Sequence, residues 1–210
     1  MLTNVYVDGF NLYYGCLKGT PYKWLDLAAL CRTLLPRDDI HRIRYFTARI
    51  SSSPDNPLAD TRQDTYLRAL GTIPRLSIHL GRFAQTRVRM PLAHPLPGLP
   101  RTVDVIKTEE KRTDVNLGAY LVADAARQDC ELAVMITNDP DLAEPINLAR
   151  GWFKVPVGVF NPSRNNAFSR DLLAERPLFT KRIRPFALRT CQFPDQLRDR
   201  HSIIRRPTSW

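Results

Sequence analysis

The stretch Leu132-Ala133-Val134-Met135-Ile136, followed by Thr137-Asn138-Asp139-Pro140-Asp141, decides how this chain is read. An uninterrupted apolar run of that length predicts a strand buried on both faces, as at the centre of a parallel sheet. The acids that end it fall where open parallel sheets bind ligands, beyond the carboxyl ends of their strands. Working outward, residues 114–127 predict a helix, with Leu117, Leu121 and the small Gly118 and Ala125 on adjoining faces. Downstream, a helix over 142–150 stops at Gly151, a strand covers 155–160, and a last helix covers 167–176. Upstream, Asn4-Val5-Tyr6-Val7 reads as a buried strand that breaks at Asp8-Gly9. A helix over 25–35 then ends at Pro36, and alternation over 40–50 gives a second strand. Residues 57–70 form a polar helix with a stripe of Ala59, Tyr66, Leu67 and Leu70, and a third strand runs over 76–83. Strands alternating with helices imply an α/β fold with a parallel, Rossmann-like sheet covered on both sides.

Two segments interrupt the alternation. Residues 91–100, PLAHPLPGLP, carry four prolines and cannot continue a sheet or helix. Their flanks, 82–90 and 101–108, can pair as a ribbon around that loop. After residue 176 the chain turns Pro- and Arg-rich without clear periodicity. The charge follows the same division. The 210 residues carry a net charge of +10, of which +3 lies in residues 1–160 and +7 in residues 161–210. Such an excess favours a polyanionic partner, because clustered Lys and Arg release counterions from phosphates. A solvated basic tail explains the charge equally well.

Composition excludes several classes. Apolar residues at 43% and charged residues at 25% are globular proportions. No apolar run reaches the roughly 18 residues of a membrane span, and no signal peptide is read, so the expected compartment is the cytoplasm. Cys16, Cys31, Cys130 and Cys191 are scattered and lack the spacing of a zinc site. No G-x-G-x-x-G follows the first strand, no phosphate-binding P-loop occurs, and no G-x-S-x-G marks a nucleophile. His41, His79, His94 and His201 have no motif around them.

What remains is carboxylate chemistry. Asp8 ends the first strand, Asp139 and Asp141 follow the central one, and Asp114 opens the mid-chain helix. Placed together without a cation they would repel one another, and a divalent ion resolves that repulsion. Oxygen ligands without His or Cys favour Mg2+ or Mn2+. Each acid also has an ordinary reading. Asp8 can start a turn, Asp114 can sit in a helix first turn capped by Thr113, and Asp141 with Glu144 resembles a capping box.

Three motifs then fall in order: V-Y-V-D-G-F-N-L-Y-Y (Val5–Tyr14), E-K-R-T-D-V-N-L-G-A-Y-L-V-A-D-A (Glu110–Ala125) and I-T-N-D-P-D-L (Ile136–Leu142). Together they resemble the NYN domain, a PIN-like ribonuclease family, in its bacterial LabA-like branch. The resemblance covers roughly residues 3–165, with Pro140 and Leu142 departing from the usual residues of the last motif. It implies a three-layer sandwich around a mainly parallel sheet, with an inserted arm at about 82–108 and a basic extension over 166–210. Asp8, Asp114, Asp139 and Asp141 would be metal ligands. Asn11, Thr137 and Asp124 would support them.

The activity implied is metal-dependent hydrolysis of RNA. Lys111 and Arg112 are candidates for holding a phosphate. Arg82, Arg87 and Arg89 of the arm, with Lys181, Arg182 and Arg184 of the extension, would track a single-stranded backbone. Tyr13, Tyr14 or Trp24 would stack on bases or sit in the core. A homodimer is a family expectation, and no membrane partner is expected. Two other readings stay open: a binding module without turnover, and a monooxygenase of the 6-hydroxy-3-succinoylpyridine type, a name some members of a similar subgroup carry. No flavin or nicotinamide cradle is legible in the chain.

Overall fold

The computed structural model describes residues 1–95, 98, 100–164 and 167–210. Six parallel strands form the central sheet: β1 (Leu2–Asp8), β2 (Asp39–Thr47), β3 (Leu76–Leu80), β6 (Leu132–Ile136), β7 (Val157–Asn161) and β8 (Phe179–Arg182), in the order β3-β2-β1-β6-β7-β8. The expected "mainly parallel" sheet is therefore parallel throughout. The chain order reverses between β1 and β6, which pair from Thr3↔Leu132 to Val7↔Ile136. A crevice opens at such a switch point, because the connections on either side lead away to opposite faces.

Side-chain alternation divides the core into two layers. Val5, Val7, Leu132, Val134 and Ile136 face helices α2 (Leu27–Leu34) and α3 (Ala59–Leu70). Tyr6, Ala133 and Met135 face α4 (Thr113–Ala126) and α5 (Ala143–Gly151). Every residue of β6 is buried, as its composition requires. Asp26 caps α2 by accepting from the N–H groups of Ala28 and Ala29 at 2.8 and 3.0 Å. All four cysteines are free and buried. Among the described residues, no helix is long and apolar enough to cross a membrane.

Two expectations need correction. The third strand was expected to run to Phe83 but stops at Leu80. At Gly81 the backbone lies against Glu110, Thr113 and the Lys111 carbonyl, so that a Cβ would meet atoms 2.3–2.7 Å away. Phe83 instead belongs to β4 (Arg82–Pro91), which pairs antiparallel with β5 (Thr102–Lys111) as a separate ribbon. This is the expected ribbon, extended to Lys111. Pro91 sits in the last pair of its ladder. Residues 96, 97 and 99 of the Pro-rich loop, and 165 and 166 at the expected end of the first domain, lie outside the described residues.

The second correction is to the C-terminal segment. The helix expected over 167–176 is the shorter α6 (Arg170–Ala174). Beyond it β8 adds the sixth strand, pairing with β7 from Gly158↔Phe179 to Asn161↔Arg182. Then α7 (Pro185–Thr190) and Phe193 pack into the larger core cluster. Strands β9 (Gln196–Arg198) and β10 (Ile203–Arg205) form a small hairpin whose Ile204 is also core. Among the described residues, the segment after residue 166 thus gives the central sheet its edge strand β8 and gives the core Phe193 and Ile204. Of the two readings of Trp24, the core one holds: it is fully buried among Tyr66, Phe193 and Trp210, which leaves no face for a base.

Candidate metal centre

Asp8 is the last residue of β1 and the cap of a single helical turn, α1 (Gly9–Leu12). One carboxylate oxygen accepts from the Asn11 N–H at 2.9 Å, and the other accepts from the Thr137 hydroxyl at 3.0 Å. Thr137 Oγ1 in turn accepts from the Asp139 N–H at 3.1 Å. The Asn11 side-chain oxygen takes the Asn138 N–H at 3.0 Å. The loops after β1 and β6 are therefore stitched across the switch point by a closed set of short polar side chains. The turn after α1 continues as one π-helical turn, Tyr13–Leu17, a geometry often found beside functional sites.

Asp139 caps the 3-10 turn Pro140–Leu142 by accepting the Asp141 N–H at 3.0 Å. The cap is therefore two residues earlier than the Asp141–Glu144 reading placed it, with Pro140 in the first position its missing N–H allows. Asp114 lies in the first turn of α4. Thr113 does not cap this helix. Arg112 precedes it in a left-handed conformation, φ 86°, and Glu110 accepts from the Thr113 N–H at 3.1 Å and from its hydroxyl. A non-glycine residue at such a φ is strained, and the ribbon ending at Lys111 holds it there.

One ligand oxygen each from Asp8, Asp114 and Asp139 lies within 4.8 Å of the others. They line a cleft of about 290 Å³ together with Asn11, Phe10, Tyr14, Phe83 and Glu110. Burial pushes the Asp8 carboxyl up to about 7, with Asp114 and Asp139 adding to the rise against the hydrogen bonds from Asn11 and Thr137. Asp114 rises to about 6, again chiefly through burial, then through Asp139, Glu110 and Asp141. Among the described residues no cation forms an ion pair with any of the three. An oxygen-only donor set with excess negative charge suits a hard divalent cation. These three aspartates can hold a metal ion.

The other expected residues divide sharply. Asp141 is exposed and outside the trio, on an adjoining groove that also carries Asp114, Lys111, Arg112 and Glu144. Asp124 is not a supporting residue. It lies ten residues along α4 and on another face, where Arg44 Nε and Nη2 donate to its two oxygens at 2.7 and 2.9 Å and the Tyr6 hydroxyl donates at 2.8 Å. Lys111 pairs with Glu109. On the ribbon, Arg87 and Arg89 share Asp104, at 2.8 and 3.8 Å, a cross-strand partner hidden by its distance in sequence. Arg82 starts the ribbon opposite Lys111. Lys181, Arg182 and Arg184 are exposed at and beyond the carboxyl end of β8, the same end of the sheet as the aspartates. Sequence reasoning missed Glu110 as a site residue. Its signal was its place at the head of the Glu110–Ala125 motif, four residues before Asp114.

Fold and site together define a Rossmann-like α/β protein with an acidic cluster, able to hold a metal ion, at the switch point of its sheet. The chain is 32% identical over 235 residues to the 6-hydroxy-3-succinoylpyridine 3-monooxygenase HspA of Pseudomonas putida (strain DSM 28022 / S16), across 99% of this chain and 75% of that protein. It belongs to the family of that protein. No family model matches. A crystal structure of a protein of unknown function from Vibrio parahaemolyticus RIMD 2210633 shares the fold, with a TM-score of 0.54 and 15% identity over 87% of this chain and 93% of the other.

Proposed function

We propose that the protein is a metal-dependent ribonuclease of NYN type, and that the convergence of Asp8, Asp114 and Asp139 at the carboxyl ends of β1 and β6 is the observation that carries this reading. The three carboxylates would hold Mg2+ or Mn2+, with Asp141 at the groove beside them. Such an ion, when bound, supplies hydroxide at neutral pH and neutralises charge on the leaving oxygen. The chain's own residues do the positioning. Thr137 and Asn11 fix the Asp8 carboxylate and the loop bearing Asp139, so the ligand oxygens are aimed before the ion arrives. Lys111 and Arg112 flank the groove and would hold a non-bridging phosphate oxygen. Water adds to phosphorus and the ribose oxygen departs, leaving a phosphate monoester and a hydroxyl, so no protein nucleophile is required. Arg82 and the exposed cations after β8 would guide a single-stranded backbone across that end of the sheet.

The test is cleavage of a labelled single-stranded RNA at low salt in Mn2+, Mg2+ or EDTA. Asp114→Asn and Asp139→Asn should each lower the rate by roughly 100-fold or more, since a metal site supplies several kcal/mol, and EDTA should abolish cleavage. A well-folded wild type that cuts no RNA in Mn2+ would refute the reading.

A second reading is favoured by one observation, the 32% identity to a protein named as a monooxygenase over nearly the whole chain. Here the protein would act on a hydroxypyridine, with a reduced nicotinamide or flavin supplied from outside. Oxygen uptake dependent on 6-hydroxy-3-succinoylpyridine and on such a reductant is its test.

A further inference from the structure

A second cleft, of about 430 Å³, opens beside the acidic one, and Phe10 and Tyr14 line both. Its volume is that of a small-ligand site. The walls are aromatic. Tyr13 and Tyr14 meet edge to face at 5.2 Å, Tyr45 and Tyr66 are buried side by side, and Trp210 stands 5.8 Å from Tyr66. Lys18, Lys23 and Arg62 also line it, and no acidic side chain does. Among the described residues, none of the three is in an ion pair. Lys18 lies 4.8 Å over the Tyr14 ring, and Arg62 donates to the neutral Asn56. Elsewhere Arg42, Arg44, Arg68 and Arg87 all have carboxylate partners. Burial and the charge of Arg62 hold the Lys23 ammonium below its ordinary range, as expected where cations converge without an anion between them.

We propose that this cleft binds a flat heteroaromatic ring carrying an anion on a flexible arm, the ring against the tyrosines and the anion among Lys18, Lys23 and Arg62. Aromatic faces take any flat base by stacking, and the cations favour a ring that carries an anion over the same ring without one. Through Phe10 and Tyr14 the ligand lies next to the carboxylate cluster. In an RNA it is a nucleotide neighbouring the scissile phosphate, an assignment that rests on the ribonuclease reading. The same chemistry also occurs in a free acylpyridine carboxylate.

The experiment is calorimetric titration of the full chain in EDTA, where no cleavage occurs. The probes are cytidine 3′-monophosphate, 3-succinoylpyridine, cytidine and inorganic phosphate. One of the two ring-plus-anion probes should bind at least ~10-fold more tightly than cytidine or phosphate, the equivalent of ~1.4 kcal/mol. Lys23→Ala and Tyr14→Ala should each weaken that probe by roughly 5-fold or more, while Lys154→Ala, which removes the same charge at a distant surface, should leave it unchanged. Preference for the nucleotide assigns the cleft to RNA. Preference for the acylpyridine supports the cleft and moves the function to the oxygenase reading. If neither probe exceeds cytidine and phosphate, or binding survives both cleft substitutions, the proposal falls, and RNA cleavage still stands or fails by its own assay.

Discussion

Asp114 and Asp124 sit on the same helix, ten residues apart, and have opposite surroundings. Asp124 is 2% exposed, clasped by Arg44 through two nitrogens and by the Tyr6 hydroxyl. Asp114 is half-buried, faces Asp8, Asp139 and Glu110, and has no cation of its own. The buried acid with its charge neutralised is architecture. The acid left beside other acids is where the protein awaits something positive. Burial alone would have ranked them the other way.

The largest expected effect lies at the architectural end. Asp124→Asn leaves Arg44 facing no anion across the α4–sheet interface, and should cost ~3–5 kcal/mol, seen as a fall in Tm of roughly 10 °C. A fall below about 2 °C would mean the pair contributes no more than a surface one.

At the other end the signs invert. The Asp8 carboxyl, at about 7 when folded against an ordinary 3.8, binds a proton between those values that the unfolded chain does not. Stability of the metal-free protein should therefore fall as pH rises from 4 through 7 and level off above, because the folded state binds more protons across that window. Tm in EDTA should drop by several degrees between pH 5 and 8, Mn2+ at pH 8 should recover it, and Asp8→Asn should flatten the slope. A metal-free Tm that climbs over this range in wild type relative to Asp8→Asn would break the comparison.

A smaller gain is expected from Asp114→Asn. With EDTA at pH 8 it relieves repulsion and should stabilise by ~0.5–1 kcal/mol after solvent screening. The same variant should cut RNA roughly 100-fold more slowly or worse, so that stability and activity move in opposite directions. The smallest effect belongs to the ribbon. Arg87→Ala removes an exposed pair with Asp104, and urea unfolding should shift by less than ~0.5 kcal/mol.

The sequence made β6 legible to the residue because all five side chains are apolar, and β1 nearly so. It hid β8, since Phe-Thr-Lys-Arg is a short half-exposed edge with no alternation to read. The acidic cluster was legible at Asp8, Asp114 and Asp139 because strand ends and helix starts announce themselves by pattern. Asp124 was misplaced because spacing along a helix does not reveal that Arg44 waits on β2. Of the aromatic cleft, only Tyr13 and Tyr14 were legible, as candidates to stack on a base. Its walls come from α1, the π-helical turn, β2, α3 and the last residues, and only folding brings those segments together.

The ribbon has one more consequence. It leaves the sheet at Gly81 and returns at Thr113, with its two feet, Arg82 and Lys111, directly paired. The ladder runs through ten cross-strand pairs from those feet to Pro91 and Thr102 inclusive, and each step adds about 3.4 Å of reach. The arm is thus a ruler clamped at one end, which can gain or lose length two residues at a time while the sheet stays in register. A longer or shorter arm can in this way be carried on the same clamp without altering a single core residue.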